Sequence, residues 1–336
     1  MVSLQVIASG QGEYLPPDAD GFRRFIRDNK PRGQVEKLMP AAEAVQRFVQ
    51  DGCYVAYDGS MGYKGPSTIL REIIRQRKQG LWVGAGPGGL EIPLLVAAGC
   101  VTRVDVGWMN PGPTIQQALN EGRLKLVEWG NGGLSYRHLA GAMGVPFLPM
   151  RFIGGTDIFE HSGAKLVKDP FTGENIVLVP AIYPDVALIH VHQADRFGNA
   201  RIFGPGYAPW ERAASAKRVI ISTEEIIEPQ EIRRRPYLTT IPYYMADAVV
   251  HAPLGAYPGH MPGLYLGDRY HSVDLVEADY SGTIGEFLEK WVYSVASDEE
   301  MLEKVRQEPP REAAVRGLSR LTDMMLASSV KEAFGI

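Results

Sequence analysis

Three glycine-rich stretches carry the residue types best suited to holding a charged or polarised ligand. They are Asp58-Gly59-Ser60-Met61-Gly62-Tyr63-Lys64-Gly65-Pro66, Gly84-Ala85-Gly86-Pro87-Gly88-Gly89 and Glu128-Trp129-Gly130-Asn131-Gly132-Gly133. Glycine lets a ligand approach the main chain, and amides in such turns can hold a carboxylate or a developing oxyanion. The second stretch lacks the Gly-Lys-Ser/Thr of a nucleotide-phosphate loop. It is not a dinucleotide fingerprint either, because its third glycine is misplaced and Pro87 interrupts it. Taken singly, each stretch fits a plain tight turn equally well.

Nucleophiles are scarce by comparison. No Gly-x-Ser-x-Gly elbow occurs. Cys53 lies in an apolar run and Cys100 has no activating neighbour, so both read as protonated, inert thiols. His190 and His192 are two apart and would share one face of a strand. No cysteine or acidic cluster completes a metal site around them, and they read as histidines packed near a sheet edge. His138 and His251 are isolated and read as structural. Glu224 and Glu225 follow an apolar strand; they either line a site or open a helix, where acids are favoured. The chain therefore offers binding loops but no assignable catalytic residue, no metal and no permanently bound cofactor.

The elements that position these loops alternate regularly from Met39 onward. Helical spacing over 40–49 precedes a strand at 53–57 and a helix at 67–74. Further strands are expected at 81–84, 101–108 and 124–128. Helices are expected at 90–98, 114–121 and 134–143, closed by Gly99, Gly122 and Gly144. Apolar runs at 176–179, 186–190, 219–222 and 248–251 have strand length and read as a continuation of the same sheet. Such alternation with short connections predicts an α/β fold with an open, mostly parallel sheet covered by helices. All three glycine stretches then follow strands, at the edge where open α/β sheets bind ligands.

Three divisions are expected: an N-terminal extension over 1–37, one α/β domain over 38–300, and a helical tail over 301–336. The extension is polar, then basic; it either packs on the surface or on a partner, or stays a disordered arm. Arg233 to Arg235 read as a solvated helix end. With 45% hydrophobic and 22% charged residues, the composition is that of a globular chain. A net charge of -4 without a long basic run argues against nucleic acid as a partner. Two cysteines, no signal-peptide pattern and no apolar run near the roughly 20 residues of a membrane span fit a cytoplasmic protein.

The segment Asp185-Val-Ala-Leu-Ile-His-Val-His-Gln-Ala-Asp-Arg-Phe-Gly-Asn199 resembles the strand-turn signature of class I coenzyme A transferases. Ser222-Thr-Glu-Glu-Ile-Ile227 followed by Glu231-Ile-Arg-Arg234 looks like that family's next element. Asp247-Ala-Val-Val250, Ala252-Pro-Leu-Gly-Ala-Tyr-Pro258, Gly263-Leu-Tyr265 and Pro146-Phe-Leu-Pro149 resemble the glutaconate CoA-transferase α subunit. The likeness covers about 38 to 300. It implies an α subunit that works with a β subunit in a heterotetramer or larger assembly. Coenzyme A enters as a thioester co-substrate, with an acyl-CoA and a small carboxylic acid as substrates. A glutamate of the β subunit would attack the thioester and carry the CoA as a glutamyl thioester. Gly59, Gly62, Gly86, Gly88, Gly89 and Asn131 become the substrate-pocket candidates of this chain.

The resemblance leaves other chemistry open. In a same-fold glutaconyl-CoA decarboxylase the other subunit carries the distinguishing residue. A ring-opening hydrolase carries a glutamate where this chain has Asn131. An inactive subunit that only binds CoA esters is a further alternative.

Overall fold

The computed structural model describes residues 5–60, 62–308 and 324–336. The chain opens with strand β1 (Val6–Ser9) and helices α1 (Ala19–Asn29) and α2 (Ala41–Phe48). It continues through β2 (Tyr54–Tyr57), α3 (Ser67–Arg75), β3 (Leu81–Pro87), α4 (Glu91–Ala97), β4 (Val101–Trp108), α5 (Pro113–Asn120), β5 (Lys125–Glu128) and α6 (Gly130–Met143). Then follow β6 (Phe147–Met150), α7 (Asp157–His161), β7 (Lys165–Lys168), β8 (Asn175–Pro180), β9 (Val186–Ala194), β10 (Ala200–Arg201), α8 (Pro209–Ser215), β11 (Arg218–Ile226), α9 (Pro229–Arg234) and β12 (Ala248–His251). Helices α10 (Arg269–Ser281), α11 (Ile284–Leu288), α12 (Asp298–Gln307) and α13 (Val330–Phe334) complete the described chain.

Seven strands form a parallel ladder in the order β12-β11-β9-β2-β3-β4-β5, with β10 antiparallel on β9. From β2 the chain steps outward through β3, β4 and β5. After β9 it steps the other way, so the order reverses between β2 and β9. Such a switch point opens a crevice at the carboxyl ends of the strands. The glycine stops end their helices as expected: Gly99, Gly122 and Gly144 have φ of 72°, 69° and 71°, which a side chain would resist.

The run 176–179 does not extend this sheet. It forms part of β8 in a separate four-stranded antiparallel sheet, β1-β7-β8-β6, built from three strands between α6 and β9 and the N-terminal β1. A strand-length apolar run carries no information about which sheet will pair with it.

The N-terminal segment is built into the body rather than left as an arm. β1 pairs with β7, and the Nζ of Lys30 at the end of α1 donates to Asp247 Oδ2 at 2.7 Å, buried. Burial holds the Lys30 ammonium below its usual range, with Asp247 opposing that shift. Residues 37–39 run along the edge strand β12, where Met39 N donates to Val249 O.

At the other end, α12 crosses the division at 300. Its Asp298 accepts from Arg71 Nε at 2.8 Å and from Thr68 Oγ1 at 2.7 Å, both on α3. Residues 309–323 of the expected tail lie outside the described residues.

The faces of the parallel sheet differ. One packs Val55, Val83, Ala85, Val104 and Val106 into the main core with α3 and α4. The other, under α6 and α8, buries charge, as described below.

Removing the Asp298 carboxylate strands the buried Arg71 guanidinium. Asp298→Ala is expected to lower the unfolding free energy by about 3–5 kcal/mol in urea denaturation. A loss of less than about 1 kcal/mol would show that the pair is exchanged for solvent.

Candidate functional site

Glycine turns from separate strand ends meet at the carboxyl edge of the sheet. After β2 the chain turns sharply, with Tyr63 N donating to Ser60 O at 2.7 Å. Gly62 adopts φ of 79°, and its carbonyl accepts from His260 N at 2.7 Å. The neighbouring Gly259 lies so close that a Cβ there would stand 2.0 Å from Gly62 O. After β3, Gly88 N donates to Trp108 O at 2.6 Å. A Cβ on Gly89 would stand 2.4 Å from Glu91 Oε2 and 3.5 Å from Gly62 N. These two positions require glycine because two turns and a buried carboxyl occupy the space of a side chain.

Gly62, Gly88 and Gly89 line one cleft of about 430 Å³. Trp108 at the end of β4 and Asn110 and Gly112 of the turn after it share it, as do Pro258, His260, Arg269, Asp279 and Tyr280. Beneath it lies a void of about 20 Å³ walled by Leu70, Leu94, Leu275 and Phe287, with room for no more than about one water. Glu91 borders that void; burial raises its pKa.

The other candidates stand elsewhere on the same edge. Gly59 packs against Gly65, where its Cβ would meet the Gly65 Cα at 2.9 Å, and it does not line the cleft. Gly86 lies beneath the Tyr207 ring, 2.5 Å from the place of a Cβ. Asn131 is not in a loop: α6 starts at Gly130, so the third glycine stretch forms its first turn. A Cβ on Gly107 would stand 2.1 Å from Asn131 Oδ1. The register pairs Ala85 with Val106 and Pro87 with Trp108, which sets Gly86 beside Gly107 on one face. Tyr207 and Asn131 are therefore neighbours over adjoining strand ends.

That face is polar to its centre. Asp105 accepts from Tyr54 OH at 2.9 Å, Trp82 Nε1 at 2.9 Å and Arg137 Nη1 at 2.5 Å. The Arg137 guanidinium also stacks 3.8 Å above the Trp129 ring. Nearer the edge, Asp58 pairs with Lys64 and, at 3.4 Å, with Arg212. All five charged groups are buried. Desolvation, helped by Arg212 and Arg137, holds the His138 imidazole well below its usual range.

Both histidines have partners within the fold, and among the described residues no group of three or more His, Cys, Asp or Glu side chains is placed to hold a metal ion. Strand β9 is interior rather than at an edge. His190 Nδ1 contacts Ser222 Oγ at 2.9 Å and its Nε2 contacts Glu224 Oε1 at 2.7 Å. Glu224 Oε2 accepts from Leu254 N at 2.7 Å, and Oε1 also from Tyr265 OH. Glu224 and Glu225 lie within β11, not at a helix start, and neither lines the cleft. The Glu224 cluster holds down the segment that supplies Pro258 and His260. Burial raises both thiols, Cys100 to about 11, so neither is an activated nucleophile.

Sequence reading passed over Asp105, Arg137, Tyr207 and Arg212. The available signals were a lone acid in the valine-rich strand Val101-Thr-Arg-Val-Asp-Val106 and a lone arginine among the alanines of α8.

The sequence profile of the family described as "Coenzyme A transferase" matches residues 38–252. One subunit of the 3-oxoadipate CoA-transferase of Pseudomonas knackmussii is 32% identical, over 68% of this chain and 84% of its own length. One subunit of the glutaconate CoA-transferase of Acidaminococcus fermentans is 30% identical, over 76% of this chain and 87% of its own. The crystal structure of that organism's glutaconate CoA-transferase superposes with a TM-score of 0.80 at 27% identity, covering 87% of this chain and 96% of that one. The decarboxylase AibA/AibB follows the same fold, with a TM-score of 0.67 at 30% identity over 76% of this chain and 98% of its own.

His192 gives the region a pH signature. Its Nδ1 accepts from Phe203 N at 3.1 Å and its Nε2 donates to Pro262 O at 3.0 Å, so only the neutral ring fits. Burial pulls its pKa to about 4 from 6.5. The unfolded chain binds the extra proton first, so stability present above pH 6.5 is lost as pH falls towards 4. The loss amounts to about 3 kcal/mol. Denaturation curves of wild type and His192→Gln across this range should differ by that acid limb; superimposable pH profiles would exclude it.

Proposed function

The chain belongs to the coenzyme A transferase family, and on that premise we propose that it is the α subunit of a heteromeric enzyme. This enzyme moves CoA between an acyl-CoA and a small carboxylic acid. The observation that carries the reading is the convergence of Gly62, Gly88 and Gly89, from two strand ends, on one open cleft. The Gly62 amide and the Arg269 guanidinium suit an anionic substrate or an oxyanion. The described cleft offers no activated thiol, hydroxyl or carboxylate dyad of its own.

In the proposed cycle the β subunit's glutamate carboxylate attacks the thioester carbonyl and expels CoA thiolate, leaving an acyl anhydride. The thiolate then attacks the glutamyl carbonyl, which releases the acid and leaves a glutamyl-CoA thioester. A second acid runs the two steps in reverse. This chain contributes the pocket and its electrostatics. Two relatives are named for dicarboxylates, 3-oxoadipate and glutaconate, which favours a small dicarboxylate here. The likeness to the decarboxylase AibA/AibB supports a second reading, decarboxylation of a CoA thioester on the same scaffold. The partner's residue at the nucleophile position separates the two.

The purified chain should show no CoA transfer. With its β subunit it should show transfer and a hydroxylamine-sensitive adduct on the partner; full turnover by the isolated chain would overturn the scheme. In the assembled enzyme, Gly89→Val should push the two turns apart and lower kcat/KM about tenfold or more. Unchanged steady-state kinetics would remove the turn from the pocket.

A further inference from the structure

Arg212 is fully buried on α8, yet among the described residues its Nε and Nη2 have no hydrogen-bond partner. Its one ion pair among the described residues is the 3.4 Å contact from Nη1 to Asp58, whose other oxygen is held by Lys64. A buried guanidinium with idle donors is costly and needs an explanation, such as an absent water or ion. The balance of charge favours an anion. The five buried groups on this face are Arg137, Arg212, Lys64, Asp58 and Asp105. Three cations against two anions leave one positive charge uncompensated. Arg137 Nη2 is likewise without a partner.

One aromatic ring lies against the Arg212 guanidinium. Tyr207 lies with its centroid 5.4 Å from Arg212 Cζ, and its edge rests on Gly86. On its outer side it borders an open cleft of about 510 Å³ with Ser135, Glu211 and Thr240. Gly204 and Gly206 precede it, and Gly204 has φ of 91°, a conformation that a side chain would resist.

We propose that Arg212 is a buried post for a carboxylate of the acid substrate, and that the Tyr207 ring is the plug that the carboxylate displaces from Gly86. The proposal rests on the carboxylic-acid substrate inferred above and assigns the group that selects it. Nε and Nη2 present two parallel donors, the geometry that a carboxylate accepts. Glycine at 86 serves both states, leaving room first for the ring and then for the ligand.

The test is isothermal titration of the full chain with glutarate, with pentanoate as the monoacid reference. Wild type should bind glutarate saturably and more tightly than pentanoate. Arg212→Lys should weaken glutarate about tenfold or more, because a point charge replaces a two-donor fork. Tyr207→Ala should tighten it about threefold or more, since no ring must be displaced. A purely structural Tyr207 would not give tighter binding. No saturable binding, equal affinity in Arg212→Lys, or weaker binding in Tyr207→Ala overturns the proposal. Should Arg212→Lys fail to fold, Tyr207→Ala alone decides it. CoA transfer by the assembled enzyme with Arg212-independent glutarate binding would sink this assignment and leave the proposed function standing. Arg212-dependent binding without any transfer would do the reverse.

Discussion

Ionised side chains withdrawn from water on one face of the parallel sheet are the constraint on which the rest of this structure depends. Burying a charge costs several kcal/mol unless partners are placed well. Asp105 meets that condition with three donors from three elements: Tyr54 on β2, Trp82 on β3 and Arg137 on α6. The same carboxylate therefore ties two strands to the helix that covers them. Asp58 does the equivalent nearer the edge, joining the turn after β2 to α8 through Lys64 and Arg212. These contacts fix the distance between the sheet and its covering helices more narrowly than apolar packing would, because a charge displaced from its partner has no solvent to fall back on.

The opposite face obeys the ordinary rule. Val83, Val104, Ile69 and Leu95 are fully buried in the main core, and the helices there are held by area removed from water. The contrast explains where chemistry can occur. The apolar face supplies rigidity, while the strand ends above it supply glycine turns that wall the cleft. Glu224, bonded to His190, Tyr265 and the Leu254 amide, anchors the segment that leans on the Gly62 turn. The cleft wall is thus braced from below by a buried carboxylate as well.

Much of the architecture was legible in residue order. Glycine at 99, 122 and 144 marked helix ends because a left-handed residue stops a helix whatever surrounds it. The turn at 58–66 was recognisable as a strand-end loop for the same local reason, with Gly62 left-handed; the stretch 84–89 was read as a loop although Gly84 to Pro87 belong to β3 and pair with β4. The strand 176–179 was found but placed in the wrong sheet, since pairing is a long-range choice that a short apolar run does not encode. The stretch 128–133 was read as a loop although it begins α6. Gly132 fits there because the Phe152 ring lies 2.5 Å from the place of its Cβ, a contact made only after folding.

By itself, the sequence determined a parallel α/β sheet with glycine turns after its strands, family membership, and the lack of an obvious nucleophile. Local backbone preference and pattern suffice for the sheet and its turns, while family membership rests on the likeness of segments such as Asp185–Asn199 to known members. Only the tertiary structure decided which turns share a cleft, that Gly62 meets Gly89 while Gly86 faces Tyr207, and that Arg212 is buried with idle donors. Those outcomes depend on the register of β3 on β4 and on how α6 and α8 dock. Both are set by contacts between residues far apart in the chain, whose energies no local pattern contains.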